Sequence, residues 1–374
     1  MTSLGSLRNR VPRFPSFQAA LTWKWCQWLC QKARACGKLP LLLNLDETAV
    51  PLEFTHTRGN IIVREDGRRI KNLPKQLANR SALRCFFTHV GIICDDPAVQ
   101  LVLPQVMFFA SQHLSWKNWT DIQAVLPKNV FVRRQVSGWS NTEQHKVVLR
   151  ILKLALEPFL ATMQPILSFD AAPLHIHPEV LELLGELNIW WLLIPKKLTW
   201  LLQPLDTHCF SKYKRYIRNL WLDSIVAQCG RRNVKDVVCI VIAAIQAVLE
   251  ETAWKPAFQA NGLAEDTLMI SKYIKEQLEW QEIPPLVAGP PTLDDLRAAW
   301  PVTRKVPVAE IFRSLGLTLP EHVPLALGMA AEDSFLAPAG DDDDACTLEA
   351  LEFDDTGIPP VPLSSDDEPL LAAT

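Results

Sequence analysis

The chain has 374 residues, of which 48% are apolar and 21% charged, and its formal net charge is -3. This length and composition allow a sizeable core in one large domain or two smaller ones, and they exclude a fibrous or wholly disordered protein. The longest apolar run, VVCIVIAAIQAVL at 237–249, is too short to span a bilayer, and no signal-peptide pattern opens the chain. We therefore expect a soluble intracellular protein in which residues 237–249 form a buried helix.

The small net charge conceals an asymmetry along the chain. Residues 331–374 contain 13 acidic residues and no Lys or Arg, so residues 1–330 have a net charge of +10. The acidic segment contains DDDD and several prolines without apolar periodicity, which predicts a disordered tail. A basic body is typical of nucleic-acid-binding proteins, although many solvated surfaces are also mildly basic.

The nine cysteines are scattered along the chain, and no two of them form a CxxC pair. A disulfide framework or a zinc knuckle would need paired or regularly spaced cysteines. In an intracellular chain of this size we therefore interpret them as reduced thiols.

The first part of the chain predicts a helix followed by the first strands of a sheet. LTWKWCQWLCQKAR has Trp and Leu at helix-compatible spacing, which indicates either a helix packed on the core or part of a longer basic region. LPLLLNLDETAVPL is a continuous apolar run with one acidic pair and predicts a buried strand. GNIIVRE and LRCFFTHVGIICDDPAVQLVLPQVMFF have β-branched and aromatic runs broken by Gly, Asp-Asp and Pro, which predict an antiparallel meander of two or three strands.

The following elements alternate between strands and helices. VFVRRQ predicts a strand, and a Ser-Gly turn then leads to an amphipathic helix from about Thr142 to Leu160, capped by Asn141 or Ser140. PILSFD and IWWLLIP predict two more strands, separated by the helix PEVLELLGELN with Pro in its first turn. DTHCFSKYKRYIRNLWLDSIVAQ predicts a long helix. The order indicates an α/β fold with a mixed sheet flanked by helices.

Three aspartates stand at or near the ends of these elements. Asp46 lies in the first strand, Asp170 ends a later strand, and Asp206 opens the helix after the next strand. In a twisted α/β sheet such positions converge, and three close carboxylates repel one another unless cations lie between them. This is the condition for a pair of Mg²⁺ or Mn²⁺ ions, roughly 4 Å apart, that serves phosphodiester chemistry. Taken singly, each Asp is more often a helix cap or turn residue.

The sequences of three motifs favour the interpretation of the aspartates as metal ligands. NLDETAV, SFDAAPLHIH and LLQPLDTHCFSKYKRY occur in this order, and SGWSNTEQHKVVL precedes the second of them. Together they resemble the DDE/D transposase catalytic domain of the mariner/pogo superfamily, in the branch with Tigger, jerky and centromere protein B. The resemblance covers about 41–225 and implies an RNase H-like fold in which Asp46, Asp170 and Asp206 are catalytic metal ligands. It also implies hydrolysis at transposon ends followed by strand transfer, with Mg²⁺ or Mn²⁺ as cofactor.

Two features depart from the family pattern. Ala171 stands where the family usually has Asn after the second acid, and alanine cannot orient a water or a carboxylate by hydrogen bonding. Only 40 residues precede the first motif, whereas family members carry helix-turn-helix domains there. These departures keep a second hypothesis open, a decayed or domesticated copy that binds DNA or a protein partner without cleaving. A third is another RNase H-like nuclease that cuts RNA in RNA-DNA hybrids.

Other side chains near the motifs are weaker candidates. Glu47 points away from Asp46 if the strand is regular, so we interpret it as structural. His175 and His177 share a face of an extended segment and could join Asp170 at a metal, but a dedicated zinc site would need two further spaced ligands. His175 falls where the family has its His, which favours a supporting role.

The helix after the third acid carries the remaining candidates. His208 and Cys209 are disfavoured as a nucleophile pair because neighbours in sequence on a helix point in different directions. Four basic residues interleaved with aromatic ones form a candidate phosphate-backbone patch, with a solvated basic face as the alternative. These residues are Lys212, Lys214, Arg215 and Arg218.

The sequence predicts four segments. These are a basic N-terminal segment at 1–40, an RNase H-like catalytic domain at 41–225, a helical and Pro-rich extension at 226–330, and the acidic tail at 331–374. We expect DNA as the partner, a nuclear location and no membrane association, and a homo-oligomer is compatible with this class.

Overall fold

The structure is a computed structural model, and it describes residues 16–52, 64–65, 68–69, 86–136, 141–195, 198–228, 233–280, 282–283 and 288–290. Most of these residues belong to one compact unit drawn from 1–54 and 76–321. The short antiparallel strands Arg64–Glu65 and Arg68–Arg69 belong to a second unit. The predicted four-segment division stays a prediction, and the acidic tail, the GNIIV run and the Ser-Gly turn lie outside the described residues.

The described strands are, in chain order, β1 (Leu39–Pro51), β2 (Arg64–Glu65), β3 (Arg68–Arg69), β4 (Phe86–Cys94), β5 (Gln105–Ala110), β6 (Val130–Gln135), β7 (Met163–Asp170) and β8 (Trp190–Ile194). The helices are α1 (Ser16–Ala35), α2 (Pro97–Gln100), α3 (Trp116–Gln123), α4 (Thr142–Leu156), α5 (Pro178–Glu186), α6 (Thr199–Leu202), α7 (Phe210–Gln228), α8 (Val234–Ala244), α9 (Lys255–Ala260) and α10 (Lys272–Gln277). Two π-helical segments, Leu205–Cys209 and Ile245–Glu250, adjoin α7 and α8.

Six strands form one mixed sheet in the order β6-β5-β4-β1-β7-β8. β4 pairs antiparallel with both β1 and β5, whereas β1, β7 and β8 run parallel to one another. Without β6, the sheet order is β5-β4-β1-β7-β8. When these five strands are numbered by their order in the chain, the sheet order is 3-2-1-4-5, and the second strand, β4, is antiparallel to the others. This is the RNase H-like arrangement, and the α/β fold with a mixed sheet flanked by helices is confirmed.

The connection between β5 and β6 was not predicted from the sequence. β6 pairs parallel with β5, and two parallel neighbours need a crossover instead of a tight hairpin. α3 supplies that crossover, beginning at the cap Ser115, whose side chain accepts a hydrogen bond from the backbone of Asn118.

The first helix is part of the core. Trp23 and Trp25 of α1 are fully buried, and the Trp25 ring lies edge-on to Trp191 of β8 at a centroid distance of 5.4 Å. Of the two interpretations of this segment, the structure confirms the helix packed on the core. α1 therefore belongs to the same hydrophobic core as the sheet.

Two further predictions concern helix bounds. Asn141 caps α4 through a side-chain bond from the backbone of Gln144, as predicted, but α4 ends at Leu156 and a 3-10 turn follows. The extension to Leu160 was wrong because Pro158 cannot continue the hydrogen-bond ladder. The apolar run at 237–249 is helical and largely buried, as expected. Within the described ranges, no helix has the length and apolar character needed to cross a membrane.

The six cysteines in the described ranges are free thiols, which agrees with the interpretation as reduced residues. Cys26, Cys30, Cys94 and Cys209 are buried, whereas Cys36 and Cys239 are exposed. Four of the six therefore serve as small core side chains.

Candidate metal centre

Two of the predicted acids lie on neighbouring parallel strands. Asn44 of β1 stands opposite Ser168 of β7. Asp46 and Asp170 each follow two residues later, so their side chains point to the same face of the sheet. Both side chains are half-buried. Strand register therefore brings these two acids together, as the sequence predicted.

The third acid lies in the π-helical segment Leu205–Cys209, immediately before α7. This segment starts at Pro204 without a capping side chain, so Asp206 is not a helix cap. Its carboxyl group instead interacts with the side chains of Asp46 and Thr199, and both interactions lower its pKa. Single π-helical turns occur often at functional sites. This π-helical turn places Asp206 near Asp46 of β1.

The side chain of Asn44 connects the three acid-bearing segments. Its Nδ2 atom donates to the backbone oxygen of Ser168 at 3.0 Å, and its Oδ1 atom accepts from the backbone N–H of Leu205 at 3.0 Å. Asn44 itself is fully buried. A buried, satisfied amide fixes the geometry of the groups that it bonds. Asn44 therefore holds the strands of the first two acids against the segment of the third.

The clustered carboxylates raise one another's affinity for protons. Burial raises the pKa of Asp46 well above its usual range, and the charges of Asp206, Glu47 and Asp170 raise it further. Burial and the charge of Asp170 also raise the pKa of Asp206, whereas its interaction with Asp46 and the nearby Lys214 ammonium lower it. A bound cation would stabilise the ionised form of these carboxylates.

The second acid is oriented by two donors. The backbone N–H of Ala172 donates to Oδ1 of Asp170 at 3.0 Å, and Nδ1 of His175 lies 2.6 Å from the same oxygen. Ala171, which follows Asp170 directly, is 7% exposed and has no polar side-chain atom. The orientation of Asp170 therefore relies on His175 and the backbone, which fits the supporting role predicted for His175.

Glu47, on the other face of β1, contacts His175, the histidine that also contacts Asp170. Its carboxylate oxygens lie 3.1 and 3.3 Å from Nε2 of His175, and its Oε1 lies 3.8 Å from Nδ1 of His145. The carboxylates of Glu47 and Asp170 raise the pKa of His175 well above its usual range, although burial lowers it. Sequence alternation correctly separates the faces of Asp46 and Glu47. It gives no sign that a histidine links Glu47 to Asp170.

Glu47, His145 and His175 form a group that could hold a metal ion. One ligand atom from each lies within 4.8 Å of the others. His145 was not singled out from the sequence because it lies in α4, far from the strand motifs and without a ligand spacing. His177 was considered with His175, but it lies outside this group and precedes α5.

The His208 and Cys209 pair shows no feature of an active nucleophile. Nδ1 of His208 lies 2.7 Å from the hydroxyl of Thr207, and burial lowers the pKa of His208 to about 4. Cys209 is fully buried, and burial raises the pKa of its thiol. A buried thiol with a raised pKa is a poor source of thiolate.

The four basic residues of α7 do not share one environment. Lys214 is half-buried, and its pKa is lowered by burial and raised by the charges of Asp206 and Asp46. Lys214 thus interacts with the acid cluster. Lys212 and Arg215 are exposed and line a groove of about 300 Å³ together with Tyr216, Asn219, Ala247, Val248 and Thr252. Arg218 is half-buried.

The fold and the site define an α/β domain of RNase H-like topology with an acid cluster beside its central strand. No family model matches the sequence, and no curated protein matches it. Among solved structures, the chain is similar to the Mos1 mariner paired end complex with Mn, at 14% identity over 70% of this chain and 67% of that chain, with a TM-score of 0.34. The Mos1 transposase paired-end complex with left transposon end has 15% identity over 70% and 68%, with a TM-score of 0.31. The Mos1 strand transfer complex has 14% identity over 70% and 67%, with a TM-score of 0.33.

Proposed function

We propose that this chain is a transposase-derived DNA-processing domain of the mariner/pogo type, with Asp46, Asp170 and Asp206 as the ligands of a divalent metal pair. The observation that carries the proposal is the convergence of three acids from separate chain segments. Asp46 and Asp170 lie on neighbouring strands. The bond from Leu205 to Asn44 holds Asp206 beside them. The three ordered motifs that contain these acids support the same class.

The donor set suits a hard cation. Mg²⁺ and Mn²⁺ prefer carboxylate oxygens, and the three aspartates supply these from a half-buried position that leaves room for a substrate. A divalent pair bound there would supply water activation and charge stabilisation for phosphodiester hydrolysis and strand transfer. Asn44 would hold the ligand segments in register, and His175 would orient Asp170 through the bond at 2.6 Å.

The partner that follows from this chemistry is DNA. The exposed Lys212 and Arg215 of α7 could bind the phosphate backbone without reading base sequence. Lys214 would instead offset part of the negative charge of the aspartate cluster, because its ammonium interacts with Asp206 and Asp46. A nuclear location and assembly into a homo-oligomer belong to the same proposal.

The test is metal-dependent strand cleavage or joining on duplex DNA at low salt, because backbone binding weakens steeply as salt rises. Asp170→Asn and Asp206→Asn keep the size of each side chain and remove its charge. The control is Asp223→Asn, which changes an exposed acid on α7. We expect Mg²⁺- or Mn²⁺-dependent activity in the wild type and the control, and its loss in both cluster variants.

The same assay tests the alternative of a decayed or domesticated copy. That alternative predicts DNA binding without cleavage or joining in every protein, including the wild type. Cleavage confined to the RNA strand of RNA-DNA hybrids would instead favour another nuclease of this fold. Activity that survives in Asp170→Asn and Asp206→Asn would refute the assigned site.

A further inference from the structure

We propose that Glu47, His145 and His175 form a second metal site, for a transition-metal ion of the Zn²⁺ type, distinct from the aspartate cluster. The site joins β1, α4 and the segment after β7. It goes beyond the proposed DNA chemistry and does not depend on it.

The first argument is the state of His145. This side chain is fully buried, and neither of its ring nitrogens has a hydrogen-bond partner among the residues that the structure describes. Burying an unsatisfied imidazole costs free energy, so such a group usually has a ligand or a water. Its Nδ1 atom points to Glu47, 3.8 Å from Oε1. Its ring lies 4.7 Å from the ring of His175, centroid to centroid.

The second argument is distance. Zinc bonds of about 2.0–2.1 Å in a tetrahedron separate neighbouring ligand atoms by roughly 3.3 Å. Nε2 of His175 lies 3.1 and 3.3 Å from the two oxygens of Glu47, which already matches this separation. The ligand atoms of all three residues lie within 4.8 Å of one another. A small inward rotation of His145 would complete a three-ligand set.

The third argument is the outer contact of His175. A metal-binding histidine usually donates its other ring N–H to a carboxylate, which fixes the tautomer and the ring orientation. Nδ1 of His175 has this contact with Asp170 at 2.6 Å, which leaves Nε2 for the metal. The side chain of Glu47 is 19% exposed, whereas those of His145 and His175 are at most 1% exposed. An open fourth position on the Glu47 side would therefore take a water.

The chemical class follows from the donors. Two imidazoles and one carboxylate suit Zn²⁺, Co²⁺ and related ions, whereas Mg²⁺ prefers oxygen ligands throughout. Mg²⁺ should therefore occupy the aspartate cluster and leave this site open. The two sites would share one connection, because His175 contacts both Glu47 and Asp170. An ion at the second site would also fix the carboxylate of Asp170.

The experiment titrates untagged protein with Zn²⁺ by calorimetry in excess Mg²⁺, and with Co²⁺ by visible absorption. We expect one tight Zn²⁺ site and a tetrahedral Co²⁺ spectrum without a thiolate charge-transfer band. His145→Phe keeps a buried ring and removes both nitrogens. It should weaken Zn²⁺ binding by at least about 100-fold, since losing an outer-shell partner alone costs roughly 10–100-fold.

Three further variants make the result decisive. Glu47→Gln should also weaken Zn²⁺ binding, and it serves if His145→Phe does not fold. His89→Phe changes another fully buried histidine, outside the group, and should bind Zn²⁺ as the wild type does. Asp206→Asn should keep Zn²⁺ binding even if it abolishes DNA chemistry, which separates this proposal from the proposed function. No Zn²⁺ binding by the wild type, or equal binding by all variants, would overturn the second site.

Discussion

The backbone N–H of Leu205 donates to Oδ1 of Asn44 at 3.0 Å, although the two residues lie 161 positions apart in the chain. Asp206 follows Leu205 directly, and Asp46 lies two residues after Asn44. The bond therefore fixes the separation of two acids through their neighbours. It makes Asn44 a positioning residue that needs no contact with a metal or a substrate.

Replacing Asn44 should damage both stability and the acid cluster. Asn44→Ala removes buried bonds to Ser168 and Leu205, which should lower the free energy of unfolding by about 2–4 kcal/mol. Divalent-metal binding, measured by calorimetry, should weaken in step. Gln100→Ala is a matched control, since this buried amide bonds the backbone of Cys94 in β4, away from the acids. Equal metal binding in the two variants would contradict the positioning role.

The acid cluster should make stability depend on pH and on divalent ions. The pKa values of Asp46 and Asp206 are raised in the folded protein. The folded state thus holds protons that the unfolded state has released, so the free energy of unfolding should fall as pH rises above about 4. Thermal unfolding in EDTA should show this fall, and Mg²⁺ should reverse it at neutral pH. In Asp46→Asn, both the pH dependence and the Mg²⁺ effect should shrink. A wild-type melting temperature unaffected by Mg²⁺ would count against the metal assignment.

DNA binding should separate the basic residues of α7. Lys212→Ala and Arg215→Ala should each reduce the slope of log affinity against log salt by about one, as expected for the loss of one phosphate contact. Lys214→Ala should leave that slope unchanged because its ammonium interacts with Asp206 and Asp46. Fluorescence anisotropy at several salt concentrations measures the slopes. A slope that is reduced only in Lys214→Ala would show that Lys214, and not Lys212 or Arg215, contacts the phosphate backbone.

Asp95 should reduce stability at neutral pH. Burial raises its pKa to about 7, while its Oδ1 accepts from the backbone of Leu42 at 2.9 Å. The raised pKa means that the stability contribution of Asp95 is lost as pH rises from about 4 to 7. Asp95→Asn keeps the acceptor oxygen and should raise the free energy of unfolding at pH 8 by up to about 4 kcal/mol. Asp96→Asn, a change at the cap of α2, should have little effect. Chemical denaturation at pH 4 and pH 8 compares the three proteins.

Gly262 should tolerate no side chain. Its φ is +76°, and an added Cβ would lie 2.3 Å from Nε1 of Trp23, which donates to the backbone oxygen of Asn261. Gly262→Ala should therefore lower the free energy of unfolding by about 2 kcal/mol or more. Gly185→Ala lies in α5 with no atom within 4 Å of the new Cβ and should stabilise by about 0.5–1 kcal/mol. Denaturant unfolding of both variants should give opposite signs.

The succession of strands and helices and the acids at the strand ends could be predicted because the relevant signals are local. LPLLLNLDET and PILSFD are apolar runs that end near an acid, and such runs define buried parallel strands. The π-helical turn around Asp206 could not be predicted, since its helical pattern resembles that of the following helix. His145 was missed for a different reason. Its relation to Glu47 depends on how α4 packs over β1, and no spacing in the sequence records that packing.

Two neighbouring residues of β1 belong to the two different metal sites that we propose. Successive side chains of a strand point to opposite faces, so Asp46 faces the π-helical turn and Glu47 faces His145 of α4. β1 is hydrogen-bonded to β4 on one side and β7 on the other, so it cannot slip by one residue without breaking two ladders. The backbone of β1 is thus fixed between the two faces. An adjustment that an ion or a substrate demands would fall on the side chains, and His175 would transmit it from one face to the other.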